Sequence, residues 1–205
     1  MPRRGMMGKG RLEAFSDGVL AIIITIMVLE LKAPIHGTHE EYEHLIAIFA
    51  SYALSFVYVG IYWNNHHHMF HATHRVNAAI LWANLHLLFW LSLIPFGTAW
   101  MGEAHFQPVP MAAYGVILLM AAIAYYILQL RIIHDQGADG LVARAVGGDY
   151  KGKLSPLFYI LAIPSGFVSR WFAGALYVAV ALVWLLPDRR IERVLAEEQS
   201  DRAVQ

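Results

Sequence analysis

The densest set of side chains able to do chemistry is Asn64-Asn65-His66-His67-His68-Met69-Phe70-His71-Ala72-Thr73-His74. His67, His71 and His74 stand at i, i+4 and i+7, which on one helical face presents three imidazoles, a spacing a transition metal can use. The rest of the chain does not complete such a centre. A membrane di-iron oxidase or desaturase needs two more His-rich segments and carboxylate ligands at the same end of its helices, where only His134 remains. We therefore expect no metal, no cofactor and no enzymatic activity, with most of these histidines in interfacial or supporting roles.

Two other constellations matter because of where they sit. Ser16 and Asp17 fall in the first third of the apolar run from Leu12 to Leu31, and Glu30 falls in its last turns. Trp82, Asn84 and His86 fall inside another apolar run. Polar and ionised side chains are expensive in hydrocarbon, so each must face protein or water. The cheapest solution is mutual: Ser16, Asp17, the histidines around 66 and 67, Trp82 and Asn84 are expected to form one polar knot between three helices. Asp17 acting only as a local cap for the residues after it is the competing arrangement.

The elements that must position these groups follow from hydropathy. The chain has 205 residues, 58% of them hydrophobic and 15% charged, and a mean hydropathy of +0.49. Those values exclude an ordinary soluble domain and describe an integral membrane protein. Net charge is zero, so nothing in it points to nucleic acid, and with no cysteine there are no disulfides or thiolate chemistry. At ~1.5 Å per residue, the 20 residues from Leu12 to Leu31 just cross a ~30 Å hydrocarbon layer. The first run carries Asp17 and Glu30 and is followed by Lys32-Ala33-Pro34, so it does not read as a cleavable signal.

Six such runs predict an all-α polytopic fold with six transmembrane helices, over 12–32, 43–65, 76–101, 109–132, 154–170 and 172–187. Residues 1–187 form the membrane unit and 188–205 a short charged tail. Pro95 and Pro164 predict kinks in the third and fifth helices, since each removes an N–H and crowds the preceding turn. A tight hairpin is expected near Ser169-Arg170-Trp171, and the Gly-rich segment 135–153 reads as a connector. Thirteen Lys and Arg residues (Arg3, Arg4, Lys9, Arg11, Arg75, Arg131, Arg144, Lys151, Lys153, Arg189, Arg190, Arg193 and Arg202) fall on one side of this topology, against Lys32 and Arg170 on the other. By that asymmetry both termini are cytoplasmic and the protein is a multi-pass cell-membrane protein.

Angular arithmetic sharpens the first helix. At ~100° per residue, Gly18, Ile22, Thr25, Ile26 and Leu29 share a narrow stripe, and Asp17 points about 140° away from Ile22. One helix thus offers an aliphatic edge broken by a single hydroxyl, and a separate polar corner.

The run Arg11-Leu12-Glu13-Ala14-Phe15-Ser16-Asp17-Gly18-Val19 through Val28-Leu29-Glu30, then Tyr62-Trp63 with His66-His67, Asn84-Leu85-His86-Leu87-Leu88-Phe89 and Pro95-Phe96, resembles the transmembrane protein 175 family of potassium channels in its prokaryotic, single-repeat form. The Phe15-Ser16-Asp17 motif carries most of that likeness. The resemblance implies a homotetramer whose four first helices line the pore, without a carbonyl filter of the Thr-Val-Gly-Tyr-Gly kind. It places the hydrophobic constriction on Ile22, with further pore layers at Thr25, Ile26 and Leu29. It also implies that Arg11 and Phe15-Ser16-Asp17 hold the first helix to the second and third through residues such as His66 or His67, Trp82 and Asn84; the run of three histidines leaves that register open.

The expected function is a leak-type cation channel that passes K+ modestly better than Na+. It would gate where the Ile22 ring dewets, with Glu30 near the outer mouth, in a homotetramer surrounded by lipid. A secondary transporter is the first alternative, although it would call for broken helices and repeated halves, and no internal repeat is visible; a His-metal membrane enzyme built on the cluster around His67 is the second.

Overall fold

The computed structural model describes residues 8–137, 140–146 and 150–185. The expected tail 188–205, with Arg189, Arg190, Arg193 and Arg202, lies outside these residues, as do Arg3 and Arg4. Among the described residues the chain is entirely helical and turn, with no strand: α1 Lys9–Leu29, α2 His39–His71, α3 Ala78–Ser92, α4 Ile94–Glu103, α5 Pro108–Gln136, α6 Leu141–Val146, α7 Tyr150–Ser165 and α8 Arg170–Leu185.

Among these residues, four segments are long and apolar enough to cross a membrane: α1, α2, α3 with α4, and α5. Residues 154–165 and 170–185 are shorter apolar helices.

Helix boundaries follow local chemistry. The Thr38 hydroxyl accepts from the Glu41 N–H and Asn77 Oδ1 accepts from the Ile80 N–H, so α2 and α3 open on side-chain caps. The third predicted helix is interrupted where Pro95 demands it: Leu93 ends α3 and precedes α4, with Pro95 in the first turn of the new helix, where a missing N–H is harmless. Pro164 does not bend the middle of a long helix. α7 stops at Ser165, one residue later, and the chain turns through 166–169 into α8. The predicted helix 154–170 therefore ends five residues early, because a proline close to a Gly166-containing turn is a stop signal rather than a kink. Two further boundaries differ from expectation. α2 continues past 65 to His71, carrying polar residues out of the apolar run, and α6 forms within the Gly-rich connector.

The core is built on α5, which buries Tyr114, Leu118, Ala121, Ala124, Leu128 and Ile132 completely. Small residues let backbones approach closely there, as is general for helices in lipid. A Cβ on Gly115 would collide with the Tyr177 hydroxyl and sit 2.9 Å from Ile163 Cγ1. A Cβ on Gly102 would sit 2.6 Å from Ser51 Oγ and 2.9 Å from Ile48 Cα, which ties α4 to α2. Hydroxyls inside this core are paired. Thr98 Oγ1 donates to Ser55 Oγ at 2.6 Å, Ser55 and Tyr114 are 2.9 Å apart, Tyr58 donates to the Tyr177 carbonyl at 2.6 Å, and Tyr177 donates to the Met111 carbonyl at 2.9 Å.

Candidate functional site

α1 lies on the side of this core. Its buried residues are Leu12, Ser16, Leu20, Ile23 and Met27, a single seam at i, i+4, i+8, i+11 and i+15. Everything on the opposite side is open: Ile22 is 58% exposed, Ile26 44% and Leu29 75%, with Gly18 and Thr25 also exposed. Ala14, Gly18, Ala21 and Thr25 form a line of small side chains on the open side. A Cβ at Gly18 would meet nothing within 4 Å, so no contact among the described residues requires the glycine. The Thr25 hydroxyl donates to the Ile22 carbonyl at 2.9 Å, which satisfies it within the helix while leaving its oxygen lone pairs on the open face. Glu30 is the residue after the last helical turn, where its N–H still reaches the Met27 carbonyl.

The polar corner divides into a buried and an exposed part. In the buried part, the His66 Nε2–H donates to Asn84 Oδ1 at 2.8 Å, Asn84 Nδ2 donates to Ser16 Oγ at 2.9 Å, and Ser16 Oγ–H donates to the Leu12 carbonyl at 2.9 Å. His66, Asn84 and Ser16 are all buried. This chain of donors links α2, α3 and α1 with every step running in one direction, and the His66 ring lies 4.5 Å from the Phe70 ring. In the exposed part, Asp17 Oδ1 accepts from the Trp63 indole N–H at 3.1 Å, and the Trp63 ring stacks with His67, centroids 6.2 Å apart. Ser16 and Asp17 are neighbours in sequence, but they hold α1 by separate contacts.

Other residues singled out from the sequence stand outside the knot within this chain. Trp82 is 73% exposed and Phe15 53% exposed, and Arg11 is exposed. His86 accepts the Trp90 indole N–H at 3.0 Å, a bond internal to α3. His74 lies beyond the end of α2, so the i, i+4, i+7 face of imidazoles is not formed: α2 ends at His71, where Ala72 caps it. Among the described residues no group of three His, Asp or Glu side chains is arranged to hold a metal ion. Lys9 Nζ reaches the His71 carbonyl at 3.1 Å, which pins the start of α1 to the end of α2. Sequence reasoning did not pair Asp17 with Trp63. The signal was available, since Trp63 precedes His66 and His67 by one helical turn and so shares their face.

At the opposite end of the bundle, His44 Nε2 lies 3.1 Å from Glu103 Oε2, and the His44 and His105 rings are 5.1 Å apart. The turn that brings them together holds His105 and Phe106 at φ +49° and +58°, a conformation uncommon for residues other than glycine.

Comparison with known proteins finds relatives over most of the chain. A family model described as "Endosomal/lysosomal potassium channel TMEM175" matches residues 11–95, the part that carries α1, α2 and the knot. A potassium channel of Chryseobacterium sp. (strain P1-3) is 53% identical over 191 residues, covering 93% of this chain and 100% of that one. A potassium channel of Streptomyces collinus is 31% identical over 192 residues, covering 87% of this chain and 92% of that one. The crystal structure of a lysosomal potassium-selective channel TMEM175 homolog from Chamaesiphon minutus is similar with a TM-score of 0.75 at 29% identity, covering 88% of this chain and 97% of that one.

Proposed function

Because the chain belongs to the TMEM175 family of potassium channels, we propose that it is a potassium-permeable cation channel in which four copies surround one axis, each giving α1 to the pore wall. Residues 1–187 make the channel subunit with six membrane crossings, and 188–205 form a cytoplasmic tail. Both termini lie in the cytoplasm and the assembly sits in the cell membrane. Neither nucleic acid nor a resident cofactor takes part; the ligands are K+ and lipid.

One observation carries this reading. α1 exposes Ile22, Ile26 and Leu29 along one edge and a line of small residues beside it, while its other edge is fixed by packing and by two polar contacts. Small residues on an open helix face favour close approach of another helix. Brought around an axis, the exposed edge makes a narrow apolar tube. Ile22 forms the constriction, where a ring of four isobutyl-sized side chains expels water and blocks ions until the helices rotate or splay. Thr25 adds a ring of hydroxyls, with Ile26 and Leu29 beyond it and Glu30 concentrating cations at the outer mouth. Selectivity for K+ over Na+ then rests on pore width, the hydroxyl ring and the larger dehydration cost of the smaller ion, which makes it modest.

In this arrangement Arg11, Phe15, Ser16, Asp17, His66, His67, Trp82 and Asn84 orient α1 rather than touch the permeant ion. Phe15 and Trp82, exposed in the single chain, face neighbouring subunits. The direct test is the reversal potential of purified protein in liposomes under a K+ gradient, with Na+ on the other side. A current reversing on the K+ side of zero supports the reading, and flux without single-channel steps would indicate a carrier.

A further inference from the structure

One polar side chain inside the apolar span formed by α3 and α4 is only half served. His86 stands two residues beyond buried Asn84 and is itself half-buried. Its Nε2 accepts the Trp90 indole N–H at 3.0 Å, so the neutral ring carries its proton on Nδ1. That second N–H makes no hydrogen bond among the described residues. Acyl chains offer it no acceptor, so protein must.

Beside His86, Trp82, Leu85 and Phe89 are exposed at i, i+3 and i+7, a ridge of large side chains along α3. What lies level with this ridge on α1 is set by two contacts. Asn84 Nδ2 donates to Ser16 Oγ, 68 positions away, and further along Thr98 Oγ1 meets Met27 Sδ, 71 positions away. The order is the same on both, so α1 runs parallel to α3 and α4. The offset of 68 sets Trp82 level with Ala14, His86 with Gly18 and Phe89 with Ala21. Bulky exposed groups on α3 thus share their depths with small exposed groups on α1. Asp17 precedes Gly18 by one residue, and Trp63 occupies only its Oδ1.

We propose that the α3 ridge packs on the line Ala14, Gly18 and Ala21 of a second copy of this chain, with His86 Nδ1–H donating to that copy's Asp17 carboxylate. Copies that share one orientation in a bilayer meet at equal depth, so the level match within one chain becomes a shape match between two. The charges agree as well: a lone donor meets a carboxylate with one oxygen to spare, and the lean of helical side chains toward the N-terminus lowers the His86 ring toward Asp17. Because the contact joins different faces of the two copies, it repeats from copy to copy and closes as a ring. Around α1, Ala21 and Ala14 lie ~40° and ~60° from Asp17, against ~140° for Ile22, so the ridge leaves the Ile22 edge to the axis. The inference deepens the channel reading above and rests on its several copies around one axis.

The chain has no cysteine, so introduced pairs report the contact directly. Full-length Ala21→Cys/Phe89→Cys is oxidised in liposomes and resolved on denaturing gels. Beside it run each single variant and Ala21→Cys/Trp82→Cys, which is two turns or ~10 Å out of register. A ladder through dimer and trimer to a closed species is expected for the matched pair, and nothing beyond dimer for the others. No ladder from the matched pair, or an equal one from the mismatched pair, overturns the proposal. His86→Leu tests the hydrogen bond: subunit exchange between differently labelled assemblies should quicken roughly ten-fold, as loss of a bond to a charged group implies. Trp90→Phe, which removes only the bond within α3, should leave exchange unchanged. Exchange that His86→Leu does not alter, or that Trp90→Phe quickens as much, overturns the assigned bond; should His86→Leu fail to fold, the cysteine pairs decide alone. K+ flux of the unmodified protein separates this inference from the reading beneath it. Flux without a ladder sinks the interface and leaves the channel standing, whereas a ladder without flux supports the interface and sinks the channel.

Discussion

α1 and α5 are the two most apolar spans in the chain, indistinguishable by hydropathy, and the protein treats them in opposite ways. α5 buries eleven of its 29 residues and meets neighbours around most of its circumference, whereas α1 buries five of 21 along a single seam. In water that difference would show in composition, because an exposed apolar face is penalised. In lipid it does not, since acyl chains are as apolar as leucine. What separates the two helices is where small and polar residues fall. On α5, Gly115, Ala121 and Ala124 face inward against other helices; on α1, Ala14, Gly18, Ala21 and Thr25 face outward and are exposed among the described residues. One helix has finished packing within the subunit, and the other has a face left over.

Substitutions that overfill the finished helix should have the largest effect on folding. Gly115→Val puts two methyl groups where the Tyr177 hydroxyl and Ile163 already leave no room for one. It is expected to cost ~3 kcal/mol or more and to separate α5 from α7 and α8, read as loss of a monodisperse species in detergent and of the thermal transition. An assembled protein with near-normal thermal stability would mean that α5 is less tightly held than its burial indicates. Next in size is Asn84→Leu, which leaves His66 without its acceptor and removes the donor to Ser16 in a buried site. A cost of about 1–2 kcal/mol is expected from stranding these groups, measured by denaturation in mixed micelles. A loss no greater than a surface substitution would show that α1 is attached mainly by its apolar seam.

How much of this was legible in the sequence depends on which force sets each feature. The positions of the long spans were readable because bilayer crossing demands length and apolarity, and both are local. The bond from Asn84 to Ser16 was within reach because lipid offers buried polar groups so few partners. The separation of Ser16 from Asp17, and the choice of His66 over His67 as the ring facing Asn84, were not. Adjacent residues differ by ~100° on a helix, and only the crossing of α1 over α2 and α3 decides which of them turns inward. The end of α7 was missed for a different reason: a proline at 164 is equally compatible with a kink and with a stop, and the turn through Gly166 that selects the stop is a tertiary feature. The expected trio of imidazoles failed because α2 ends at His71, three residues before the third.

Asp17→Asn sharpens the same contrast at a smaller scale. Asn keeps an acceptor for the Trp63 indole and loses the charge, on a side chain that is exposed in the chain, so the expected cost is below ~1 kcal/mol. If Asp17 only orients α1, assembly persists and the reversal potential under mixed K+ and Na+ is unchanged. A well-assembled variant with an altered ratio would place the carboxylate beside the ion path.

Ile22→Asn is expected to disturb folding least and function most. Because Ile22 touches so little of its own subunit, the change in thermal stability should stay within ~0.5 kcal/mol. The environment outside the subunit then decides the outcome, and the two environments available to this face have opposite signatures. Against acyl chains, an asparagine strands a carboxamide in hydrocarbon, so insertion or assembly suffers and flux stays as it was. Against a water-filled axis, the carboxamide is solvated and wets the narrowest ring, so assembly is preserved and leak conductance rises several-fold. Size-exclusion profile and liposome K+ efflux, measured on the same preparation, separate the cases. Raised efflux with an intact assembly assigns the open face of α1 to the conduction path; poor assembly with unchanged efflux assigns it to lipid, and the constriction must then be sought on another helix.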